Sequence, residues 1–238
     1  MLELEHVGFE VQTENGAKTI ICDINLRLSE RFVAFTGPNG GGKSTLAKLI
    51  MGLYRPTTGR ILLNGRDITD LSVTERAKLG VCYGFQQPVR FKGITVHDLL
   101  SVAAGHILSV GDACRYLADV GLCAKEYVHR EIDAKLSGGE LKRIEIATVM
   151  ARGAELTVFD EPEAGIDLWS FNNLITVFED MYNKIKGTML IISHQERILN
   201  IADRIIVLSA GQVEQDGTKD EVLPTLLTTT YCDRLRRA

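Results

Sequence analysis

Short apolar runs alternate with longer amphipathic stretches in the C-terminal half of the chain. The runs at residues 156–159, 188–193 and 204–208 are almost wholly apolar, and segments with helical spacing separate them at residues 168–185 and 197–202. Strands that are buried on both faces lose the polar alternation of a half-exposed strand, which is typical of a parallel sheet covered by helices. The pattern therefore predicts an α/β fold with a largely parallel sheet.

The N-terminal residues show a different pattern, in which apolar and polar positions alternate. Leu2 and Leu4 begin one such stretch, residues 20–28 form another, and the turn-like residues 14–16 separate them. This alternation predicts an antiparallel β hairpin beside the strand expected at residues 32–35. Residues 60–65 predict a further edge strand and its turn.

The middle of the chain is helical in pattern. Residues 96–104 and 113–120 have helical spacing, and no convincing strand occurs between Gln86 and residue 156. We therefore expect a helical subdomain inserted into the α/β core. The resulting organisation is one domain of residues 1–238, with a core and β edge at residues 1–85 and 156–228 and a helical subdomain at residues 86–155.

The composition agrees with a globular domain. Hydrophobic residues make up 45% of the 238 residues, which is enough to bury a sizeable core. A formal net charge of -4 provides no strong field to attract nucleic acid or anionic lipid. No apolar run approaches the roughly 18 residues of a membrane span, and the first residues lack the pattern of a signal peptide. We expect a cytoplasmic protein with no nucleic-acid partner and no direct membrane insertion.

The cysteines and histidines indicate little chemistry of their own. Five cysteines are scattered without a C-x-x-C pair, which argues against a disulfide framework or a structural zinc site. We expect buried thiols that behave as small apolar side chains. Among the five histidines, a motif positions His194 alone, at the end of the predicted strand 188–193.

A glycine-rich segment follows the predicted strand at residues 32–35 and leads into a helical stretch at residues 46–51. It has the pattern G-x-x-x-x-G-K-S, which ends in Lys43 and Ser44. Glycines allow consecutive backbone N–H groups to turn toward one anion, and the helix N-terminus adds the positive end of its dipole. Lys43 can reach the β- and γ-phosphates of a nucleotide, and Ser44 can ligate Mg²⁺. The candidate nucleotide-binding residues of this segment are Gly37, Asn39, Gly40, Gly42, Lys43, Ser44 and Thr45.

Two further motifs follow in order. Residues 136–140 read Leu-Ser-Gly-Gly-Glu before a helical stretch, and the strand at 156–159 ends in Asp160 and Glu161. A carboxylate in the first position of such a pair can hold Mg²⁺ directly or through water, and its neighbour can take a proton from an attacking water. The order of the three motifs resembles the ATP-binding subunits of the ABC superfamily, and the resemblance covers nearly the whole chain.

The resemblance implies an architecture and an activity. The architecture is a P-loop ATPase core with a mixed, largely parallel sheet, an antiparallel β edge and an inserted α-helical subdomain that holds the Ser-Gly-Gly signature. The activity is Mg²⁺-dependent ATP hydrolysis by an ATP-dependent head-to-tail homodimer, in which each signature binds the γ-phosphate of ATP held by the other protomer. The residues to which the resemblance assigns roles are Glu161, His194 and Gln86 in catalysis, Ser44, Gln86 and Asp160 in metal binding, and Ser137, Gly138, Gly139 and Asp167 in nucleotide binding.

One feature of the family is absent from the sequence. Members commonly stack adenine on an aromatic residue in the early strand, and the alignment of residues 7–11 places Val11 at that position. Phe9 lies two residues away on the same face of a strand, about 7 Å distant, which is far for one base. We therefore expect loose recognition of the base.

Local sequence favours a particular kind of ABC ATPase. Glu163 and Gly165 stand where transporter subunits usually have Thr or Ser and then Ala, and residues 138–143, 85–89 and 193–199 are similar to the Suf-type iron-sulfur cluster assembly ATPases. That resemblance implies a SufB- or SufD-type scaffold as partner. The implied docking surface is the helical subdomain with the groove after Gln86, for which Phe91, Ile94 and Val96 are candidates.

A nucleotide-binding subunit of an ABC membrane transporter is the alternative. Pro162 and Ala164 do not match the Suf pattern, and the segment after Gln86 is somewhat shorter than in that group. Under this alternative the partner is a membrane permease.

Overall fold

The computed structural model describes residues 1–14, 16–84, 90–133, 135–166, 168–184 and 187–235. These residues form two compact units, one of Met1–Arg76 with Leu190–Ala238 and the other of Ala77–Met189. The first unit contains β1 (Leu2–Thr13), β2 (Gly16–Leu28), β3 (Phe32–Thr36), α1 (Lys43–Met51), β4 (Thr58–Leu63) and β5 (Arg66–Asp67), and α2 (Val73–Lys78) crosses the boundary between the units. The second contains β6 (Val81–Gly84), α3 (Val96–Ala104), α4 (Val110–Asp119), α5 (Ala124–Tyr127), α6 (Gly138–Arg152), β7 (Leu156–Asp160) and α7 (Leu168–Lys184). The chain then runs through β8 (Thr188–Ile192), which crosses the boundary between the units, and through α8 (Glu196–Asn200), β9 (Arg204–Ser209), β10 (Gln212–Thr218) and α9 (Lys219–Leu235) in the first unit.

An antiparallel sheet of the first unit confirms the predicted hairpin. Its strand order is β2-β1-β4-β5, and Leu2 of β1 lies opposite Leu28 of β2 and Leu63 of β4. Leu2, Leu28 and Leu63 are all buried, on the face of the sheet that packs on the core. The hairpin belongs to a different sheet from β3. The strand predicted at residues 60–65 corresponds to β4, which lies between β1 and β5, so the prediction of an edge strand was wrong.

In a second sheet, the strands β10, β9, β3 and β8 are neighbours in that order. β3 and β9 are parallel, whereas β9 and β10 are antiparallel, so the sheet is mixed. Every residue of β3 is buried, and the four central residues of β9 are buried as well. The continuous apolar runs thus correspond to strands without an exposed face, as the sequence predicts.

The second unit combines a parallel strand pair with helices. β6 and β7 pair in parallel with Val81 opposite Leu156, and α6 packs against α3 and α4. The buried face of α6 includes a charged residue, because Lys142 is 2% exposed and pairs with Glu145 at 2.8 Å. Burial of an ammonium group requires such a partner.

Several helices differ from their predicted bounds by a few residues, and some elements were missed. The helix predicted at 113–120 begins at Val110, and α2, α5, β10 and α9 had no predicted counterpart. Cys22 and Cys123 are exposed, so the expectation of buried thiols was wrong for these two. Within the described ranges, no helix has the length and apolar character to span a membrane.

Candidate functional site

The glycine-rich segment forms a tight loop between β3 and α1. Gly37, Gly40 and Gly42 have φ angles of 125°, 79° and 102°, at which the backbone of a residue with a side chain would be strained. Gly42 is the N-cap of α1, and no side chain caps the helix there. A glycine at the N-cap brings no side-chain oxygen of its own to the first turn of α1, an arrangement suited to an anion.

The loop lies against the end of β9. A Cβ atom at Gly37 would lie 2.1 Å from the Leu208 carbonyl oxygen, and one at Gly41 would lie 2.5 Å from the same oxygen. The Gly211 N–H donates to the Gly41 carbonyl at 3.1 Å. Close backbone approach therefore requires glycine at both positions, and at Gly37 the positive φ requires it as well.

Lys43 lies over the loop to which it belongs. Its Nζ donates to the carbonyl oxygens of Gly37 at 2.8 Å and Pro38 at 2.9 Å, and the residue is 5% exposed. A buried ammonium held at the loop places positive charge beside the N-terminal end of α1. Ser44 and Thr45 follow in the first turn and are partly exposed.

His194 belongs to the same unit as the loop. The Ser193 N–H donates to the Phe35 carbonyl at 3.0 Å, so the end of β8 lies beside the end of β3. Ser193 is fully buried, and its Oγ accepts the Gln195 N–H at 3.0 Å. The structure thus places the exposed residue His194 at the carboxyl ends of β8 and β3, where the glycine-rich loop begins.

The acidic pair lies at the end of β7 in the second unit. Asp160 is 5% exposed, and its Oδ2 accepts a hydrogen bond of 3.0 Å from the Tyr83 hydroxyl. Glu161 has a φ of 44°, a value that costs a non-glycine residue roughly 1–2 kcal/mol. The chain therefore leaves the strand direction at Glu161, which sets this carboxylate apart from Asp160.

The Ser-Gly-Gly segment begins α6, and Ser137 is its N-cap. The Ser137 Oγ accepts the Glu140 N–H at 3.3 Å, and the Glu140 carboxylate accepts the Ser137 N–H at 2.7 Å. This capping box fixes the backbone ahead of the two glycines. Leu136 and Leu141 are both buried, at the two positions of a hydrophobic staple.

Tyr127 strengthens that cap. Its hydroxyl donates to the Glu140 carboxylate, and this bond, followed in effect by those from Ser137, holds the pKa of Glu140 below its usual value despite partial burial. The Arg130 guanidinium lies 5.4 Å from the centre of the Tyr127 ring. Glu140 is therefore ionised at neutral pH and keeps the cap in place.

A sequence model of the family described as ABC transporter matches residues 22–164, a span that includes the loop, the signature and the acidic pair. The chain belongs to this family. ABC ATPases hydrolyse ATP, and the observed α/β fold with a mixed sheet is the one that the resemblance to the ABC superfamily implies.

Two relatives and one solved structure illustrate the similarity. The uncharacterized ABC transporter ATP-binding protein MJ0035 of Methanocaldococcus jannaschii is 39% identical over 90% of this chain and 88% of its own length. The choline transport ATP-binding protein OpuBA of Bacillus subtilis is 31% identical over 94% of this chain, which spans 59% of that protein. The dimeric post-hydrolysis structure of the ATP-binding cassette MJ0796, bound to ADP and Pi, matches with a TM-score of 0.81 at 22% identity, covering 92% of this chain and 99% of that one. The last similarity shows the fold.

These comparisons confirm the resemblance to the ABC superfamily. The relatives are named as transporter ATP-binding proteins, and they lend no support to the finer resemblance to Suf-type ATPases. Two predicted site residues of the ABC pattern, Gln86 and Asp167, lie outside the described residues.

In this ABC ATPase the aromatic residue of β1, Phe9, packs against another aromatic ring. The Phe9 ring stacks on Tyr54 with centroids 5.2 Å apart and planes 6° apart, and Lys48 Nζ lies 5.4 Å from the Tyr54 centroid. Phe9 is thus packed beyond the C-terminal end of α1, whereas the loop lies at its N-terminal end. Val11, at the usual aromatic position, is partly exposed.

Sequence reasoning missed two residues that contact the motif side chains. Tyr83 reaches Asp160 from β6, and Tyr127 reaches Glu140 from α5. For Tyr83 the sequence did contain a signal, because a phenol hydroxyl in a short, largely buried strand requires a polar partner. For Tyr127 the sequence offers no comparable signal, because α5 is only four residues long.

Proposed function

We propose that this chain is the Mg²⁺-dependent, ATP-hydrolysing subunit of a larger assembly. The observation that supports it most strongly is the loop of residues 37–45, in which left-handed glycines lead into a helix without a side-chain cap. In this proposal the loop N–H groups, Lys43 and the hydroxyls of Ser44 and Thr45 bind the nucleotide phosphates, with Asn39 beside them.

The available donors suit magnesium. No group of three or more His, Cys, Asp or Glu side chains in the described segments could hold a metal ion, so a metal here would need other oxygens. Mg²⁺ is usually held by one or two carboxylates together with hydroxyl, water and phosphate oxygens, and Asp160, Ser44 and Gln86 are the residues that would hold it. Bound there, the ion would neutralise charge on the phosphates.

The remaining residues act on the attacking water and the γ-phosphate. Glu161 takes a proton as the water oxygen forms its bond to the γ-phosphorus and the bond to the leaving β-phosphate oxygen breaks. His194 contacts the γ-phosphate from the sheet edge beside the loop, and Gln86 and Asp167 complete the site. Phosphoryl transfer of this kind depends on positioning and electrostatics, which these residues supply.

The site is completed by a second copy of the chain. Ser137, Gly138 and Gly139 begin a 15-residue helix and bind the γ-phosphate of ATP held on the partner's loop. Two copies then pair head to tail around a twofold axis and enclose two ATP molecules. The similar cassette MJ0796 is described as dimeric, with ADP and Pi bound.

The partner docks on the second unit, at a cavity of about 170 Å³. Phe91, Leu99 and Ile144 are among its lining residues. Of the other predicted docking candidates, Val96 is fully buried and is a core residue, while Ile94 is partly exposed. The cavity therefore replaces Val96 as the docking site that we propose.

A membrane subunit of a transporter is the first candidate for this partner, because the named relatives are transporter ATP-binding proteins. A SufB- or SufD-type scaffold is the second, supported by Glu163, Gly165 and residues 193–199 of this chain. Purification of the chain from its native host with detergent distinguishes them. An integral membrane protein at near-equal stoichiometry supports transport, whereas a detergent-independent scaffold with a chelator-sensitive visible absorbance supports cluster assembly. Recovery of neither, together with full ATPase activity of the chain alone, would contradict the subunit proposal.

A further inference from the structure

The register between β6 and β7 brings Tyr83 to Asp160. Tyr83 lies opposite Val158, and Asp160 is two residues further along the parallel strand. Side chains two positions apart point to the same face, so the Tyr83 ring needs only to lean along the strand to reach the carboxylate. The resulting bond from the Tyr83 hydroxyl to Asp160 Oδ2 is 3.0 Å long.

Both strands are held tightly at this point. A Cβ atom at Gly84, the residue after Tyr83, would lie 2.3 Å from Cδ1 of Phe159, the residue before Asp160. Phe159 in turn packs edge-on against Phe178 of α7, with ring centroids 5.2 Å apart. The two strands therefore cannot shift without disturbing the core, and the spacing of Tyr83 and Asp160 is fixed by packing.

The Tyr83 hydroxyl is suited to donate. A partly buried phenol hydroxyl requires a polar partner, and Asp160 Oδ2 lies within hydrogen-bond distance of it. Asp160 itself is nearly inaccessible, and a buried carboxylate is stabilised by every donor that it gains. A bond to one carboxylate oxygen also restricts rotation of the group, which leaves the second oxygen in a defined direction.

We infer that Tyr83 is a positioning residue for Asp160, whose hydroxyl fixes the orientation in which that carboxylate meets the catalytic metal. The inference rests on the proposed role of Asp160. Residues that orient metal ligands in this way contribute about 10–100-fold to metal affinity. Tyr83 also lines the cavity of the second unit, next to Cys82 and Leu99, so its ring contacts the space that a partner would fill.

The test is Mn²⁺ binding to the full-length protein with a non-hydrolysable ATP analogue, measured by electron paramagnetic resonance. Tyr83→Phe keeps the ring and removes the hydroxyl, and we expect it to weaken Mn²⁺ binding by about tenfold. Binding of the analogue without metal should stay unchanged. Tyr116→Phe is the matched control, since this partly buried tyrosine lies on α4, and it should bind Mn²⁺ as the wild type does.

A second measurement separates positioning from a general loss of structure. Raising the Mg²⁺ concentration should restore most of the ATPase rate of Tyr83→Phe, because a weakened metal site saturates whereas a damaged fold does not. Mn²⁺ affinity of Tyr83→Phe within twofold of wild type, while Asp160→Asn loses Mn²⁺, would overturn the inference alone. Unchanged Mn²⁺ binding in Asp160→Asn would overturn the proposed metal site and the inference with it.

Discussion

Single residues of this protein carry the proposed chemistry, and the role of Glu161 is the one that a substitution tests most directly. Its left-handed φ of 44° sets it apart from the buried Asp160 that precedes it. Such strain persists where surrounding structure enforces it, and it is frequent at functional sites. The backbone therefore distinguishes two adjacent carboxylates that the sequence alone presents as a pair.

Glu161→Gln should keep ATP binding and lower turnover by about 10² or more, since the amide cannot accept a proton from water. Lys43→Ala should instead lose nucleotide affinity. Binding is measured by equilibrium titration with labelled ATP, and turnover by phosphate release. Glu179→Gln removes an exposed carboxylate of α7 and should leave both unchanged. Turnover of Glu161→Gln within twofold of wild type would contradict its role as the base.

Arg76 is a fully buried guanidinium that ties two helices together. It donates to the carbonyl oxygens of Leu49 and Ile50 in the last turn of α1, and to those of Leu71 and Thr69 before α2. Positive charge at a helix C-terminus is favourable, although burial lowers the pKa of Arg76. The residue therefore anchors the far end of the helix that begins at the phosphate loop.

Arg76→Ala should lower the free energy of unfolding by roughly 3 kcal/mol or more, because several buried carbonyl groups lose a donor. Urea unfolding monitored by circular dichroism measures it. Arg66→Ala removes an exposed arginine of β5 and should change stability by less than about 0.5 kcal/mol. If Arg76→Ala lowered the free energy of unfolding by no more than Arg66→Ala does, the hydrogen bonds of Arg76 would contribute nothing to stability.

At the scale of elements, the cap of α6 makes stability depend on pH. The pKa of Glu140 is held below its ordinary value near 4.5 by bonds from Tyr127 and Ser137. A carboxylate with a lowered folded-state pKa stabilises the fold above its unfolded pKa, and this contribution is lost as pH falls through the lowered value. Glu140→Gln should therefore be less stable than wild type at pH 7, and the difference should shrink below about pH 4.5.

Urea midpoints of wild type and Glu140→Gln at both pH values measure this effect. Glu126→Gln, in the exposed part of neighbouring α5, is the control and should follow the wild type throughout. Tyr127→Phe should show a smaller pH-dependent loss of the same sign, since it removes the bond that lowers the pKa of Glu140 most. A stability difference that persists unchanged at low pH would exclude the charged cap as its cause.

Much of the fold follows from local sequence, and two of the helices without a predicted counterpart, α2 and α9, begin with a recognisable sequence pattern. A Ser or Thr three residues before Glu or Asp marks an N-terminal cap. The structure shows this pairing at Ser72 and Glu75 before α2, and at Thr218 and Glu221 before α9. Both signals are present in the sequence. The short strand β5 and helix α5 carry no comparable signal, because tertiary contacts rather than periodicity determine such elements.

The candidate site was predictable in part for a related reason. The loop glycines, Lys43 and the acidic pair occur in short motifs with fixed spacing along the chain, so the sequence alone indicates their chemistry. Contacts from Tyr83 and Arg76 depend on strand register and on helix ends that meet only in the fold. Sequence therefore predicts the reacting groups better than it predicts the residues that hold them.

At the scale of the molecule, the motifs are divided between the two compact units. The phosphate loop and His194 belong to the first, while Asp160, Glu161 and the Ser-Gly-Gly signature belong to the second. The proposed mechanism requires a second copy of the chain as well, since in it each signature acts on ATP held by its partner. Hydrolysis would then release the dimer, because both surfaces lose the anion that they share.

The most direct test of the composite site is the ATPase activity of mixed variants. Lys43→Ala disables the loop and Ser137→Arg blocks the signature, so each variant alone should be inactive. A heterodimer of the two contains one intact site, and random pairing of equal amounts predicts about a quarter of wild-type activity. Recovery to that level would support the head-to-tail dimer. A mixture no more active than its separate components, under conditions in which the wild type hydrolyses ATP, would contradict the account.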